Sequence, residues 1–228
     1  MSVTFITGTD TDVGKTLTTA ALAVVLSATG SSVAVYKPTQ TGVPAGGQGD
    51  VDEVARLSGI LAVHEGIRLD DPMAPRAAAV RANRELPLLT QHVARIAELA
   101  ASHDHVLVEG AGGLLVELDA DGHTLADLAA ASSGADAAAF VVVCRSGLGT
   151  LNHTALTLEA LHRRGFAAPA VVIGSWPAAP SDIELDNRDN LQRTPGTQFL
   201  GCLPAGASLL GPRAFRGLAP GWLQLPPG

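Results

Sequence analysis

A phosphate-binding loop is the first feature of this sequence whose residues could do chemistry. The segment Gly8-Thr-Asp-Thr-Asp-Val-Gly14-Lys15-Thr16 lies between a strand-like run and a helical pattern, which is the context such a loop requires. Its glycines let backbone N–H groups face an anion, and the helix start adds the positive end of its dipole. Lys15 can reach the outer phosphates, and the Thr16 hydroxyl can bind magnesium. The sequence therefore predicts a site for a nucleoside triphosphate and Mg²⁺. The alternative is an ordinary strand-to-helix turn with a chance lysine.

The spacing of this loop departs from the common motif. Five residues separate Gly8 from Gly14, whereas the usual form has four, so we expect a variant loop rather than the standard GTPase or kinase form. Thr11 and Lys15 are the catalytic candidates on it. The residues of the loop expected to contact the nucleotide are Asp12, Val13, Gly14, Lys15, Thr16 and Leu17.

Two carboxylates are candidates for holding the metal ion. Glu109 ends the buried run His105–Glu109, and strand carboxyl ends face the ligand crevice of a parallel sheet. Asp50 stands at the start of a helical pattern, where a plain helix cap is an equally good interpretation. Magnesium in nucleotide sites typically takes one or two carboxylates together with phosphate oxygens. The residues after Glu109 are further candidates for nucleotide contact: Gly110, Ala111 and Gly112.

Lys37 emerges from the second strand-like run, in the segment Tyr36-Lys37-Pro38-Thr39-Gln40-Thr41-Gly42. Pro38 holds the preceding residue in an extended conformation and so fixes where the lysine departs. A position at a strand end in the crevice favours a catalytic role over a solvated surface lysine. Thr41 could offer a hydroxyl to a substrate amine or carboxylate. A third strand-to-helix junction, at Gly149, Thr150, Leu151 and Asn152, has bare N–H groups that could bind a substrate carboxylate.

Short apolar runs alternate with helical patterns along the chain, which predicts an α/β fold with a mostly parallel sheet flanked by helices. We expect one P-loop domain over residues 1–228, with a loosely packed tail over 211–228. Residues Ile60–Leu89 give no clear element, and Thr39–Gly49 are expected to form a long glycine-rich loop. The predicted strands are Val3–Thr7, Val33–Tyr36, His105–Glu109, Ala138–Cys144, Ala170–Ile173 and Phe199–Cys202. The predicted helices are Lys15 to about Thr29, Val51–Ser58, Thr90 to about Ser102, Thr124–Ser132, Thr150–Arg164 and Ile183–Gln192.

Composition excludes several classes of protein. With 46% hydrophobic and 16% charged residues, intrinsic disorder is excluded for most of the length of the chain. A net charge of −7 without a basic cluster argues against a nucleic-acid partner. No signal peptide and no run of ~18 apolar residues is found, so we expect a cytoplasmic protein without a membrane partner. Cys144 and Cys202 lie in apolar runs, which favours buried free thiols over a disulfide or metal pair.

These motifs together resemble those of dethiobiotin synthetases. The loop Gly-Thr-Asp-Thr-Asp-Val-Gly-Lys-Thr, Lys37-Pro38 with Thr41-Gly42, Val-Glu109-Gly-Ala-Gly-Gly113, and Leu148-Gly149-Thr150-Leu151-Asn152-His153 occur in that family's order. The matching elements span roughly Val3 to Gly206. The resemblance implies a cyclo-ligase of biotin biosynthesis that closes a ureido ring on 7,8-diaminopelargonate with CO2 and ATP.

The family pattern also assigns roles to individual residues. It makes Thr16, Asp50 and Glu109 the Mg²⁺ ligands. It also implies that Lys15 and Lys37 stabilise the negative charge on the carbamate and on the transferring phosphoryl group. Thr41 would contact the amine end of the substrate. The Gly149–Asn152 helix start would hold its carboxylate across a homodimer interface.

The nucleobase end departs from the family. Many members carry an asparagine after the strand Ala170–Ile173 that reads the adenine edge, whereas this chain has Gly174 and Ser175. The loop Pro204-Ala205-Gly206 could contact the base through its backbone. ATP is the expected co-substrate, and another triphosphate such as CTP stays open.

Three other interpretations compete with a synthetase. A partitioning ATPase would carry a second lysine five positions before the loop lysine, where this chain has Asp10, and it would use a basic amphipathic helix for membrane docking. An amidotransferase-type ligase would need a glutaminase domain and a suitably placed cysteine. A regulatory nucleotide-binding module would not need Lys37 and Thr41 in the crevice.

Overall fold

Seven strands alternate with helices in the computed structural model, which describes residues 1–134 and 138–225. The strands are β1 (Ser2–Gly8), β2 (Val33–Thr41), β3 (Val63–Leu69), β4 (His105–Gly113), β5 (Ala139–Cys144), β6 (Ala170–Trp176) and β7 (Gln198–Pro204). The helices are α1 (Lys15–Ser27), α2 (Asp50–Ser58), α3 (Pro75–Arg81), α4 (Leu89–Ser102), α5 (Leu125–Ser133), α6 (Thr150–His162), α7 (Asp182–Gln192) and α8 (Pro212–Leu218). No helix in these ranges is both long and apolar enough to cross a bilayer.

The strands form one sheet in the order β3-β2-β4-β1-β5-β6-β7, and all its neighbouring strands are parallel. The chain leaves β1 towards β2 on one side and later continues to β5 on the other. The order therefore reverses at β1, and in open parallel sheets ligands bind beyond the carboxyl end of the strands at such a point. The phosphate loop, which follows β1, lies there. The predicted α/β fold with a mostly parallel sheet is confirmed.

Helices cover both faces of the sheet. Successive strand residues point to opposite faces, and apolar side chains on each face are buried against helices. Phe5 belongs to one apolar cluster, which also contains residues of α4, α5 and α6. Its neighbour Ile6 belongs to the other cluster, with residues of α1, α2 and α8. Both side chains are fully buried. The near-continuous apolar runs recognised as strands are the consequence of this burial on two faces.

The stretch that gave no prediction, 60–89, contains β3 and α3. Strand β3 reads Val-His-Glu-Gly-Ile-Arg-Leu and lies at the edge of the sheet, so it lacks the apolar run that marks the central strands. Its pairing with β2 extends that strand to Thr41. The predicted loop Thr39–Gly49 is therefore wrong in its first three residues, since Thr39 to Thr41 are strand.

Two further expectations are corrected. Asp50 is not the cap of α2: Gly49 precedes the helix and Asp50 opens it. The segment after Gly211 is not a loose surface tail up to residue 225, because it forms α8 and buries Phe215 completely. The Phe215 ring packs against Trp222 with centroids 5.1 Å apart. Cys144 and Cys202 are free, as expected, with Cys144 buried and Cys202 partly exposed.

Candidate active site

The phosphate loop owes its shape to glycine and to one strained residue. Gly14 precedes α1 with φ 97°, and Asp12 has φ 57°, a region that residues with a Cβ enter at a cost. A Cβ on Gly14 would lie 2.5 Å from the carbonyl oxygen of Gly174. A Cβ on Gly174 would lie 2.0 Å from the carbonyl oxygen of Val13. The loop and the end of β6 therefore touch backbone to backbone.

Lys15 is folded back over its own loop. Its ammonium group donates a hydrogen bond to the Asp10 carbonyl at 3.1 Å, and the residue is buried. Burial lowers the pKa of Lys15, although the nearby Glu109 carboxylate acts in the opposite direction. Because burial disfavours the charged ammonium, an arriving phosphate would stabilise it.

Lys37 lies between two carboxylates. Its ammonium is 2.6 Å from Asp50 Oδ2 and 2.9 Å from Glu109 Oε1, and the Gly110 carbonyl accepts at 3.5 Å. Burial disfavours the charged form, but Glu109 and Asp50 outweigh it, and the pKa of Lys37 is raised above its ordinary value. The lysine therefore remains a cation inside the protein.

The same place brings together oxygen atoms that suit a magnesium ion. The Thr16 hydroxyl donates to Glu109 Oε1 at 3.0 Å, and that oxygen also meets Lys37, as does Asp50 Oδ2. A hydroxyl and two carboxylates from three separate elements are thus linked through Glu109 Oε1 and the Lys37 ammonium. Hard oxygen donors of this kind fit Mg²⁺.

A cleft of about 730 Å³ opens over these groups. The predicted site residues that line it are Thr11, Asp12, Gly14, Lys15, Thr16, Leu17, Lys37, Thr41, Asp50, Ala111 and Gly112. Sequence reasoning missed another part of the lining: Thr39, Gln40, Gly42, Pro72, Met73, Ala74, Pro75 and Val116. Most of these missed residues follow β2 or β3, so recognising β3 would have pointed to them through the rule that strand carboxyl ends face the crevice.

The predicted residues of the third junction do not line the cleft of their own chain. Gly149 precedes α6 with φ 92°, and Leu151 and Asn152 are exposed. The side chain of Thr150 points inward instead: the residue is fully buried, and its hydroxyl has no hydrogen-bond partner among the described residues. Any contact from Thr150 to a substrate would use its backbone.

The predicted nucleobase residues lie at or just after the carboxyl ends of β6 and β7, the last two strands at one side of the sheet. Ala205 donates its N–H to the Trp176 carbonyl at 2.7 Å, which joins the loop Pro204-Ala205-Gly206 to the segment after Gly174. Ser175 is exposed, and Arg188 stacks on the Trp176 ring at 5.0 Å. Gly174 touches the phosphate loop, and none of these residues lines the cleft.

Another group of possible ligands occurs away from this cleft, at Asp119, Asp121 and His123. The buried Asp119 carboxylate already accepts from the N–H groups of Leu89, Asp121 and His123. It also meets the His123 ring at 2.6 Å. These bonds organise the turn before α5, and they explain the cluster without an ion.

Three features define the P-loop class of nucleotide-binding proteins. The strand order of the parallel sheet reverses at β1, the glycine loop carries a buried lysine, and a threonine is bonded to a buried carboxylate. Comparison with known proteins specifies the class further. The family model described as an AAA domain matches residues 2–213. Curated relatives named ATP-dependent dethiobiotin synthetase BioD include proteins of Streptomyces coelicolor and Rhodococcus jostii. The first is 51% identical over 99% of this chain and 93% of the relative, and the second 50% identical over 98% and 95%.

This chain belongs to the dethiobiotin synthetase family. Solved structures with a similar fold include the MinC:MinD cell division complex of Aquifex aeolicus, with a TM-score of 0.57 and 10% identity over 96% of this chain and 86% of that one. The cell division protein FtsY of Thermotoga maritima has a TM-score of 0.52 and 16% identity over 96% and 68%. At these identities the likeness concerns the fold alone. The family suggested by the ordered motifs is confirmed.

Proposed function

We propose that this protein catalyses the ATP-dependent closure of the ureido ring of dethiobiotin from 7,8-diaminopelargonate and CO2. The observation that carries the proposal is Lys37, a buried cation held between Glu109 and Asp50 at the edge of the phosphate loop. The name and the similarity of the relatives support the same reaction. A cytoplasmic location stays a prediction.

The proposed reaction proceeds in three steps. One substrate amine attacks CO2 and loses a proton, which gives a carbamate. A carbamate oxygen attacks the γ-phosphorus of ATP, and ADP leaves with the electron pair of the broken P–O bond. The second amine then attacks the carbonyl carbon of the mixed anhydride and loses a proton, while inorganic phosphate leaves with the C–O pair. Holding the reactants in line contributes much of the rate, since well-oriented intramolecular reactions gain up to about 7–11 kcal/mol.

The phosphate loop supplies the binding of the triphosphate. Backbone N–H groups of Asp12 to Leu17 and the start of α1 face the phosphates, and Lys15 exchanges its bond to the Asp10 carbonyl for a phosphate oxygen. Lys37 stabilises the negative charge of the carbamate and of the transferring phosphoryl group. Such fixed charges act without reorganisation in a site with little water. Thr11, which lines the cleft, completes the catalytic set of this proposal.

Thr16, Asp50 and Glu109 are the proposed ligands of Mg²⁺, which neutralises charge on the outer phosphates when it is bound. Thr41 lines the cleft and is proposed to contact the amine end of the substrate. The α6 start at Gly149–Asn152 is proposed to hold the substrate carboxylate in the cleft of a partner copy. This division explains why these residues lie outside the cleft of their own chain.

ATP is the proposed triphosphate, in keeping with the relatives' name. The base region offers backbone at Gly174 and at Pro204-Ala205-Gly206 rather than an amide side chain, so acceptance of CTP belongs to the same proposal. Thermal-shift titrations with four triphosphates measure this preference, because a ligand at 100 times its Kd adds about 2.7 kcal/mol of stability.

The decisive experiment is phosphate release from the purified protein with 7,8-diaminopelargonate, bicarbonate, Mg²⁺ and a triphosphate, with dethiobiotin identified by mass spectrometry. We expect release only when the diamine is present. Release that is independent of the diamine, together with no dethiobiotin, would favour a switch-type ATPase. Asp10 argues against that alternative, since its carboxylate pairs with Arg145 at 2.5 Å where such ATPases carry a lysine.

A further inference from the structure

The position of Asp50 depends on a short segment that lies over the edge of the sheet. Residues 42–49 connect β2 to α2, and Asp50 is the first residue of that helix. The Asp50 N–H donates to Gln40 Oε1 at 2.8 Å, and the Gln40 residue is buried. The carboxylate of Asp50 would therefore move if this segment moved.

Arg68, on the edge strand β3, forms hydrogen bonds with residues of the 42–49 segment and of α2. Its residue pairs with Gln40 in the register of the two strands, so the arginine stands beside the glutamine that holds Asp50. The guanidinium donates to the Gly47 carbonyl oxygen and to Asp52 Oδ2 at 3.2 Å. The same guanidinium is held in place by two hydrogen bonds that it donates to the Glu65 carboxylate, at 2.7 and 2.8 Å. One planar group thus joins the strand, the segment and the first turn of α2.

Asp52 connects Arg68 to Gly49, the residue before Asp50. Its Oδ2 accepts the Gly49 N–H at 2.7 Å while it also meets Arg68. Gly49 is enclosed: a Cβ there would lie 2.8 Å from Glu65 Oε1 and 3.0 Å from both Arg68 Nη2 and Gln40 Oε1. The backbone on the amino side of Asp50 is therefore closely packed against the side chains of Arg68, Glu65 and Gln40.

The contacts of Arg68 differ from those of an ordinary surface ion pair, which contributes little. The side chains of Arg68 and Glu65 are only 22% and 15% exposed. The arginine fork is bidentate towards Glu65 and also bonds a backbone carbonyl, a geometry that a lysine cannot reproduce. Neither residue lines the cleft, so the effect on the site is indirect.

We propose that Arg68 is a positioning residue for the metal site, which holds residues 47–49 against β3 and so preorganises the Asp50 carboxylate for a divalent cation. The inference rests on the proposed role of Asp50 as a metal ligand. Partners that orient ligands commonly change metal affinity by about 10–100-fold when they are removed. We expect an effect of about tenfold for Arg68, because it acts through the backbone.

The test measures Mn²⁺ affinity by the EPR signal of the free ion, with the full chain and a non-hydrolysable ATP analogue. Arg68→Ala is expected to weaken Mn²⁺ binding about tenfold. In the metal-free protein, hydrogen exchange of the amides at 47–52 is expected to accelerate, whereas the amides of β4 keep their protection. Arg68→Lys should give an intermediate affinity and serves as the test if the alanine variant does not fold.

Arg56→Ala is the matched control. Arg56 also pairs with a glutamate three residues earlier, Glu53, and bonds two backbone carbonyls, of Ser208 and Leu210. Its bonds lead to the far side of α2, so Mn²⁺ affinity should stay unchanged. Equal weakening by Arg56→Ala and Arg68→Ala would mean general destabilisation and would overturn the inference.

Asp50→Ala separates this inference from the proposed function. If Asp50→Ala weakens Mn²⁺ binding and Arg68→Ala does not, the positioning role of Arg68 is wrong while the metal ligand stands. If Asp50→Ala leaves the affinity unchanged, the assignment of Asp50 as a ligand fails, and the inference fails with it.

Discussion

Lys37 keeps its positive charge in surroundings that would otherwise remove it. A buried ammonium without partners loses its proton readily, but Glu109 and Asp50 stand within 2.9 Å and 2.6 Å of this one. The same three charges would be redistributed when phosphates and a divalent cation enter. Until ligands bind, the two carboxylates therefore balance the charge of the Lys37 ammonium, which stays protonated.

Replacing this lysine should separate catalysis from binding. In Lys37→Ala we expect phosphate release to fall by at least about 100–1000-fold, the loss typical of one preorganised charge donor, while an ATP analogue still binds through the phosphate loop. Single-turnover phosphate release and calorimetry measure the two quantities. Arg163→Ala, which removes an exposed cation paired with Glu159, should leave both unchanged. Near-normal turnover in Lys37→Ala would remove the lysine from the mechanism.

The contact between the phosphate loop and β6 requires glycine at position 174. A methyl group on it would approach the Val13 carbonyl to 2.0 Å, so Gly174→Ala must displace the phosphate loop or the end of β6. We expect nucleotide affinity to fall at least about tenfold and stability to fall by about 1–3 kcal/mol, the cost typical of overpacking. Titration of an ATP analogue and urea unfolding measure these changes.

Gly217→Ala is the control for that substitution. Gly217 lies in α8, and a Cβ there meets nothing within 4 Å, so alanine should be neutral or slightly stabilising. Unaltered nucleotide affinity in Gly174→Ala would mean that the loop accommodates a side chain at this contact, contrary to the expectation.

At the scale of elements, helix α4 is joined to β2 by a buried polar pair. The Tyr36 hydroxyl and His92 Nδ1 are 2.6 Å apart, and His92 Nε2 has no partner among the described residues. Burial lowers the pKa of His92 to about 4 and raises the pKa of Tyr36 to about 12. Both groups are therefore neutral at physiological pH.

This pair makes stability depend on pH in a defined window. His92 has a pKa of about 4 when folded and about 6.5 when unfolded, so the unfolded chain binds more protons between these values. Stability is then fully present above pH 6.5 and decreases as the pH falls towards 4, by up to about 3 kcal/mol. In His92→Gln we expect a flatter dependence of the urea midpoint between pH 6.5 and 5. His162→Gln, at an exposed position, should leave the slope unchanged; an equal slope in both variants would exclude His92 as its source.

Elements differ in how well the sequence predicts them, and burial is the reason. Central strands such as Ala139–Cys144 are apolar along their length because both faces are covered. Edge strand β3 carries His64, Glu65 and Arg68, so its pattern is not that of a buried strand. Helix α8 was missed because its seven residues contain proline and glycine, and only the tertiary contact of Phe215 with the core makes the segment ordered.

The same distinction applies to the site. Lys15, the first residue of α1, and Glu109, in strand β4, were predicted because each belongs to a local motif that fixes its chemistry. Pro72 to Pro75 enter the cleft through the packing of β3 beside β2, which no local motif encodes. The Arg68 network was missed for the same reason, since its partners are 16 and 21 positions away in the sequence.

At the scale of the whole molecule, the start of α6 bears apolar side chains that face solvent. Leu148 is 83% exposed, and Leu151 and Leu156 are 37% and 58% exposed. They surround the segment proposed to hold the substrate carboxylate of a partner copy. Apolar residues clustered on a surface are typical of an interaction site, so these leucines suit the proposed contact with a partner copy.

This surface makes a prediction that joins assembly to catalysis. If α6 completes the cleft of a second copy, Leu148→Asp should shift sedimentation velocity towards the monomer and raise the KM for 7,8-diaminopelargonate at least about tenfold, because a buried unpaired charge at an interface costs several kcal/mol. Affinity for an ATP analogue should stay unchanged, since the phosphate loop belongs to one chain. Leu61→Asp, at a leucine that is 92% exposed after α2, should change neither property. A monomeric Leu148→Asp protein with an ordinary KM would mean that one chain holds the whole diamine site. The carboxylate contact would then come from other residues that line the cleft of the same chain.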